Sequence, residues 1–211
     1  MNKLLIKHAS QIATPQGFEC KKGSSMKELL TISDGAVYIE DGIIKVVGKT
    51  DEVLNKIDEK NCKIIDAEGK CVLPGFVDSH THFIFSGYRE EEFVKRLEGA
   101  EYIDILNLGG GIQSTVKNTR NSTFEELYSL GKDRLKNMIS QGITTVEGKS
   151  GYGLDLDCEI KMLKVMKKLN EDCPIDVVST FLGAHAVPLE YKNKNSEYVD
   201  YMRNEVLPKV A

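Results

Sequence analysis

The sequence lacks the features that would place the protein in a membrane or on a nucleic acid. No apolar run approaches the roughly 20 residues that a helix needs to cross a bilayer. The apolar core of the first ten residues, MNKLLIKHAS, is too short for a secretory signal. The formal net charge is -4, so there is no surplus of basic residues for a phosphate backbone. We therefore exclude nucleic acid and membrane as partners and predict a cytoplasmic protein.

Cysteine pairing is also missing. The chain has five cysteines, an odd number without a C-x-x-C pair: Cys20, Cys62, Cys71, Cys158 and Cys173. This argues against a disulfide framework and against a cysteine-based zinc cluster, and predicts free thiols that are mostly buried. The 211 residues, 41% of them hydrophobic and 28% charged, are enough for a well-buried core and two domains.

The pattern of the sequence changes near residue 72. Before that point short strand-like runs alternate with turns, and apolar residues alternate with polar ones on both sides of Asp41-Gly42, which is the signal of a hairpin. Residues 12–30 are polar and predict a longer loop with a helical turn around SMKELL. Residues 1–72 are therefore predicted to form a small β module.

After residue 72, predicted strands alternate with predicted helices, which is typical of βα units on a parallel sheet. The first strand, CVLPGFVDSHTHF, is continuously apolar and predicts burial on both faces. Ser122 and Glu125 have the spacing of a capping box for the helix that follows. A second helix, LDCEIKMLKVMKKLN, carries an apolar stripe, and the tail after residue 195 predicts another helix.

Only three strands are predicted in residues 73–211, whereas an eight-stranded (β/α) barrel takes about 250 residues. The fold is therefore either an open three-layer sheet or the front half of a longer protein. We favour the second interpretation.

Two histidines lie one residue apart at the end of the first predicted strand. Side chains at i and i+2 of a strand share a face, so His80 and His82 can converge on one metal ion, and Asp78 lies on the same face. The carboxyl ends of parallel strands are where α/β enzymes build their sites. The alternative is a pair of solvated or core histidines, since a metal site needs three or four protein ligands.

Other polar residues follow the strand ends. His185 could be a third ligand, a general base, a substrate contact or a histidine bonded into its own loop. Arg89 suits a substrate carboxylate, although an ion pair with Glu91 or Glu92 is an equally good interpretation. Tyr152, in the glycine-flanked turn KSGYGLD, could donate to a ligand or cap the loop.

Three further features receive no function. Lys149 is interpreted as a surface or loop lysine rather than a carbamylated metal bridge. His8 is interpreted as structural or solvated. The stretch LGGGIQST, residues 108–115, lacks the G-K-[ST] ending of a phosphate-binding loop.

Several motifs in order resemble the imidazolonepropionases, a family of the amidohydrolase superfamily: DSHTHFIFSGYREEEF, GGGIQSTV, TTVEGKSGYGLD and TFLGAHAVPLEY. The resemblance runs from about residue 70 to residue 211 and is weaker before that. It implies an α/β fold in which a small β-sandwich module, residues 1–72, precedes the first strands of a (β/α)8 TIM-like barrel, residues 73–211. Both parts would be incomplete in this chain.

The resemblance implies hydrolysis of 4-imidazolone-5-propanoate to N-formimidoyl-L-glutamate in histidine degradation, at one Zn or Fe ion per full-length chain. His80 and His82 match two metal ligands, and Arg89, Tyr152 and His185 match substrate contacts, Arg89 being suited to the carboxylate. The ion would lower the pKa of a bound water, and the resulting hydroxide would open the ring.

The family's other metal ligands and its proton-shuttling carboxylate are expected beyond residue 211. We therefore expect this polypeptide alone to be inactive, to bind metal weakly and to associate through an open sheet edge. A homodimer of the full-length chain is compatible with the sequence.

Two alternatives stay open. Another amidohydrolase, such as a purine or pyrimidine deaminase, shares the H-x-H strand but does not need a carboxylate-binding Arg89. The chain could also be a non-catalytic barrel fragment that acts only by binding a partner.

Overall fold

A computed structural model describes residues 2–17, 19–101 and 110–211. The chain forms two compact units, Met1–Pro74 and Gly75–Ala211, whereas the sequence pattern changes at residue 72. Residues 108 and 109, at the start of the glycine-rich stretch, lie outside the described residues. In the described part of the chain, no helix is both long and apolar enough to cross a membrane.

The first unit contains one five-stranded sheet. Its strands are β1 (Lys3–Thr14), β2 (Leu30–Glu40), β3 (Ile43–Lys49), β4 (Lys63–Asp66) and β5 (Cys71–Val72). The order is β3-β2-β1-β4, and β5 also pairs with β1. The pairs β1–β2 and β2–β3 are antiparallel, while β4 and β5 run parallel to β1. A short helix, α1 (Thr50–Leu54), follows β3.

The predicted hairpin at Asp41-Gly42 is confirmed. Both residues have positive φ, 49° and 81°, which is the conformation of the tight turn that joins two antiparallel strands. The loop predicted for residues 12–30 is shorter than expected, because β1 continues to Thr14, which pairs with Leu30. The predicted helical turn is present as a 3-10 helix, Gly23–Lys27.

The second unit is built on a three-stranded parallel sheet, and with its helices it confirms the α/β class. The strands, in the order β6-β7-β8, are β6 (Phe76–Thr81), β7 (Ile143–Lys149) and β8 (Asp176–Thr180). The helices are α2 (Glu90–Leu97), α3 (Ile112–Asn121), α4 (Phe124–Ser140) and α5 (Leu156–Asp172). The tail is helical as predicted and comprises α6 (Asn195–Tyr201), a π-helix (Met202–Val206) and α7 (Leu207–Val210).

The main core of this unit lies where α4 and α5 pack with the sheet. Its fully buried side chains include Leu127, Leu135, Val146, Met162, Met166 and Leu169. The apolar stripe predicted on α5 therefore faces the core. This packing fixes the strand ends and the loops that follow them.

Strand β6 is not the doubly buried strand that its apolar sequence predicts. Cys71–Val72 belong to β5 in the first sheet, and β6 begins only at Phe76. Phe76 is 52% exposed and Val77 is 65% exposed. The physical reason is that β6 pairs only with β7 among the described strands, so it lies at the edge of its sheet.

The capping box of α4 lies one residue later than predicted. The Thr123 hydroxyl accepts a hydrogen bond from the Glu126 N–H at 3.1 Å, and the Glu126 carboxylate accepts one from the Thr123 N–H at 2.8 Å. Ser122 instead donates its hydroxyl to the Asn118 carbonyl at 3.1 Å, at the end of α3.

The prediction for the cysteines is only half right. All five are free thiols, but only Cys158 is buried, while Cys20 and Cys71 are exposed. The exposed pair lies in the first unit, in the loop between β1 and β2 and on the two-residue strand β5, where little of the chain covers them.

Candidate active site

His80 and His82 lie at the carboxyl end of β6. Strand pairing passes from Asp78–Val146 to Thr81–Gly148, so β6 carries one extra residue and is bulged. Strict two-residue alternation therefore does not hold here, but the two histidine rings still approach, with centroids 5.9 Å apart. The Asp78 side chain contacts the backbone of this segment, since its Oδ1 accepts a hydrogen bond from the His80 N–H at 3.2 Å.

The loops after β7 and β8 bring Tyr152 and His185 against His82. The His82 ring stacks on the His185 ring with centroids 4.5 Å apart and planes inclined by 20°. The Tyr152 ring lies 4.9 Å from His82 and 5.6 Å from His185. Gly151, with φ of 106°, permits this approach, because a Cβ there would lie 2.8 Å from the His185 Cβ.

His82 is neutral at physiological pH. Burial lowers its pKa to about 4, and repulsion from His185 and His80 adds to this effect. Its Nδ1 is buried and has no hydrogen-bond partner among the residues that the structure describes. A neutral imidazole with an unpartnered nitrogen is the form that binds Zn or Fe, so His82 fits a metal ion, and the His80 ring lies beside it.

The described residues supply only part of a metal site. No group of three or more His, Cys, Asp or Glu side chains in residues 2–17, 19–101 and 110–211 could hold an ion together. Because a zinc site takes at least three protein ligands, the two histidines need a further ligand.

Arg89 lines a cleft of about 310 Å³ together with Phe85, Gly87, Tyr88, Thr115 and Tyr152. It is the N-cap residue of α2, and its guanidinium lies 3.7 Å from the Glu92 carboxylate, so the predicted ion pair is present. The Arg89 side chain is nevertheless 40% exposed. The cleft thus offers a cation on one wall and the Tyr152 ring, next to His82, on another.

Arg134, on α4, holds the loop that leads to Arg89, and the sequence interpretation missed it. Its Nη1 donates to the carbonyls of Phe83 and Phe85 at 2.9 and 2.7 Å. Its guanidinium lies 3.6 Å from the Phe85 ring centroid. No local pattern marks this arginine, because its partners are some 50 residues away in the sequence.

Lys149 is not the surface lysine that the sequence suggested. It ends β7, its side chain is only 12% exposed, and it forms an ion pair with Glu147. Glu147 also accepts a hydrogen bond from the Thr180 hydroxyl at 2.7 Å. The Lys149 hydrogen bond, followed by that of Thr180, lowers the Glu147 pKa.

In the first unit, the His8 Nδ1 lies 3.2 Å from the Asp66 carboxylate, so His8 has a structural partner there.

Comparison with known proteins shows which proteins the chain is similar to. A family model described as an amidohydrolase family matches residues 63–100. An imidazolonepropionase from Clostridium tetani is 53% identical over 208 residues, which cover 99% of this chain and 50% of that protein. Another from Parabacteroides distasonis is 55% identical over 209 residues, with the same coverage. The chain is similar to imidazolonepropionases over 99% of its own length. It spans about half the length of the curated imidazolonepropionases that it matches.

Solved structures share the fold of this chain. E. coli guanine deaminase aligns with a TM-score of 0.55 and 14% identity, covering 96% of this chain and 42% of that one. The triazine hydrolase from Arthrobacter aurescens aligns with a TM-score of 0.54 and 16% identity, covering 86% and 36%. At such identities the likeness shows the α/β fold alone.

Proposed function

We propose that the whole protein, meaning a chain of its relatives' length that contains this sequence, hydrolyses 4-imidazolone-5-propanoate to N-formimidoyl-L-glutamate. The reaction breaks a C–N bond in a cyclic amide and belongs to histidine degradation. The observation that carries the proposal is the 53% identity to an imidazolonepropionase over 208 residues. The convergence of His82, Tyr152 and His185 at the strand ends supports it.

In this proposal His80 and His82 provide two of the ligands of one Zn or Fe ion. When bound, such an ion supplies a water of lowered pKa as a nucleophile at neutral pH. The free Nδ1 of neutral His82 supports this assignment. The other ligands and the proton-shuttling carboxylate would come from the rest of the whole protein, so the 211-residue chain alone is expected to be inactive and to bind metal weakly.

Arg89, Tyr152 and His185 are proposed to bind the substrate. The Arg89 guanidinium would take the propanoate carboxylate, because a guanidinium matches both carboxylate oxygens and its present contact with Glu92 is long, at 3.7 Å. Tyr152 and His185, whose rings lie 4.9 and 4.5 Å from His82, would contact the imidazolone ring beside the metal ligands. These contacts hold the ring carbonyl where a nucleophile can reach it.

We also propose that the sheet β6-β7-β8 begins a (β/α)8 barrel and that the first sheet is part of a β-sandwich, both completed by the rest of the whole protein. The exposure of Phe76 and Val77 on β6 supports a further strand at that edge.

We also propose that the whole protein is cytoplasmic, which cell fractionation would test. Its mass in solution decides between a monomer and a homodimer.

The test is turnover by the purified whole protein of imidazolonepropanoate and, separately, of guanine, with Zn and Fe measured on the same sample. We expect turnover of imidazolonepropanoate only, with about one ion per chain. Turnover of guanine instead would contradict the proposal and favour a deaminase. Absence of turnover with both substrates, in protein that contains metal, would also reject it.

A further inference from the structure

Glu159, on α5, is a buried carboxylate to which the proposed reaction gives no role. Among the described residues it is the one charged side chain that is buried, at 0% exposure. Burying an ionised carboxylate is unfavourable unless its oxygens receive hydrogen bonds. No ion pair with Glu159 occurs within 4.0 Å in the described part of the chain, so the compensation has another source.

That source is the backbone of the loop after β7. Oε1 of Glu159 accepts hydrogen bonds from the N–H groups of Gly151, Gly153 and Leu154 at 3.1, 2.9 and 2.9 Å. Oε2 also accepts from Gly151, at 3.1 Å. Hydrogen bonds to an ionised acceptor are roughly twice as strong as neutral ones. The carboxylate therefore gathers three backbone N–H groups around one point.

The loop needs such support because its conformation is unfavourable without it. Gly151 has φ of 106° and Leu154 has φ of 57°, and a non-glycine residue with positive φ carries strain. Tyr152 lies between two of the bonded N–H groups, those of Gly151 and Gly153. Its position relative to His82 and His185 thus depends on the carboxylate behind it.

We propose that Glu159 is a positioning residue of the active site, which holds Tyr152 against the cleft by binding the backbone on both sides of it. The inference deepens the proposed function and rests on it for the role of Tyr152. It does not make Glu159 a catalytic residue, since its carboxylate accepts hydrogen bonds from the loop backbone and Glu159 is not among the described residues that line the cleft.

The test compares Glu159→Gln with Glu171→Gln in the whole protein. Glutamine keeps the shape of Glu159, but its amide NH2 would face the Gly151 N–H and the negative charge is lost. Glu171 is the matched control, because it lies on the same helix, its side chain is 54% exposed, and its ion pair with Lys168 is long, at 3.9 Å. Glu159→Asp, which keeps the charge but shortens the side chain, serves as a second variant should Glu159→Gln fold poorly.

We expect Glu159→Gln to raise KM for imidazolonepropanoate about tenfold with a smaller change in kcat, as loss of one charged hydrogen bond would. Glu159→Asp should fall between the wild type and Glu159→Gln, and Glu171→Gln should match the wild type. Glu159→Gln should have little further effect in a Tyr152→Phe background, because both changes then act on one contact. The proposal would be overturned if the effects of Glu159→Gln and Tyr152→Phe on KM multiplied in the double variant. It would also be overturned if Glu159→Gln left KM unchanged.

Hydrogen exchange gives a readout that does not depend on the substrate. The amides of Gly151, Gly153 and Leu154 should exchange at least about tenfold faster in Glu159→Gln than in the wild type, and no faster in Glu171→Gln. If the wild type does not turn over imidazolonepropanoate, the proposed function fails by itself. Unchanged exchange of these three amides would then reject the positioning role independently.

Discussion

Two loops bring polar side chains to the same cleft, and the fold holds them in opposite ways. The loop after β7 directs backbone N–H groups inward to one acceptor, the buried carboxylate of Glu159. The loop after β6 directs two carbonyls, those of Phe83 and Phe85, to one donor, the guanidinium of Arg134. In each case a charged side chain on a helix organises the backbone of a loop.

The difference lies in where each functional side chain stands relative to its support. Tyr152 lies between bonded residues, so the fold itself determines its place. Arg89 follows Tyr88, whose hydroxyl accepts from Arg134 at 3.2 Å, and its own contact with Glu92 is longer, at 3.7 Å. We infer that the Tyr152 side chain has its final position before a ligand binds, whereas the Arg89 side chain reaches its final position only when a ligand binds. Changes at the loop after β7 should therefore affect stability as well as binding, whereas a change at Arg89 should affect binding alone.

The largest expected effect is that of Gly151→Ala. The new Cβ would lie 2.7 Å from the Leu182 carbonyl oxygen and 2.8 Å from the His185 Cβ, and the residue would keep a positive φ. We expect the free energy of unfolding of the whole protein to fall by more than about 3 kcal/mol, measured by urea unfolding. Gly99→Ala is the matched control, because its φ is +95° and a Cβ there meets nothing within 4 Å. If Gly151→Ala and Gly99→Ala lowered the free energy of unfolding equally, the loops after β7 and β8 would be able to move apart at no cost.

Arg134→Met tests the support of the other loop. It leaves the carbonyls of Phe83 and Phe85 without their donor and removes the cation from the Phe85 ring, so we expect a loss of about 2 to 3 kcal/mol in the same measurement. Lys136→Met, on the same helix, breaks only an exposed pair with Asp133 and should cost less than about 0.5 kcal/mol. If the two variants were equally stable, Arg134 would not hold the loop.

Arg89→Met should separate binding from stability. If Arg89 binds the carboxylate of the proposed substrate, loss of this charged hydrogen bond raises KM of the whole protein for imidazolonepropanoate about 30-fold, while kcat and the unfolding midpoint change little. Lys95→Met removes a cation from the same helix away from the cleft lining and should leave KM unchanged. If Arg89→Met lowered the free energy of unfolding as much as Gly151→Ala does, the distinction between the two loops would be contradicted.

Much of this arrangement can be predicted from local patterns in the sequence. The hairpin turn at Asp41-Gly42 and the helices α4 and α5 depend on neighbouring residues, and the structure has them. The convergence of His82, Tyr152 and His185 follows from parallel strands ending at one edge of a sheet. The capping box was misplaced because STFEE contains the pattern twice, and the choice depends on Ser122 being engaged by Asn118.

The rest depends on contacts between distant parts of the chain. The apolar sequence of β6 indicates burial, but Phe76 is exposed because burial requires a neighbouring strand on that side. Arg134 acts on carbonyls of another element, which no local pattern shows. The sequence does contain a signal for Glu159, because it lies three and seven residues before Met162 and Met166, on the apolar stripe of α5. A charge on a buried stripe requires hydrogen-bond donors, and the adjacent loop provides them.

The smallest expected effect concerns an outer support of the loop after β7. Arg120 donates its Nε to the Gly153 carbonyl at 2.6 Å, and its Nη2 lies 2.8 Å from the Glu190 carboxylate. Burial raises the pKa of Glu190, but a backbone hydrogen bond and the Arg120 guanidinium outweigh it, so the pKa lies below its ordinary value of 4.5. The Glu190 carboxylate therefore contributes stability above about pH 4.5, which is lost as the pH falls through the lowered pKa.

Glu190→Gln should cost about 0.5 kcal/mol at pH 7, because the carboxylate is half exposed and solvent weakens the pair. As the pH falls below 4.5 and through the lowered Glu190 pKa, the wild type loses the same contribution, so the two proteins should converge in urea unfolding. A difference that stays constant as the pH falls from 7 through the acid range would mean that the Glu190 charge does not support Arg120. Of the two carboxylates, Glu159 and Glu190, only Glu159 would then support the loop after β7. That loop would differ more clearly from the loop that carries Arg89, which is held by the Arg134 guanidinium.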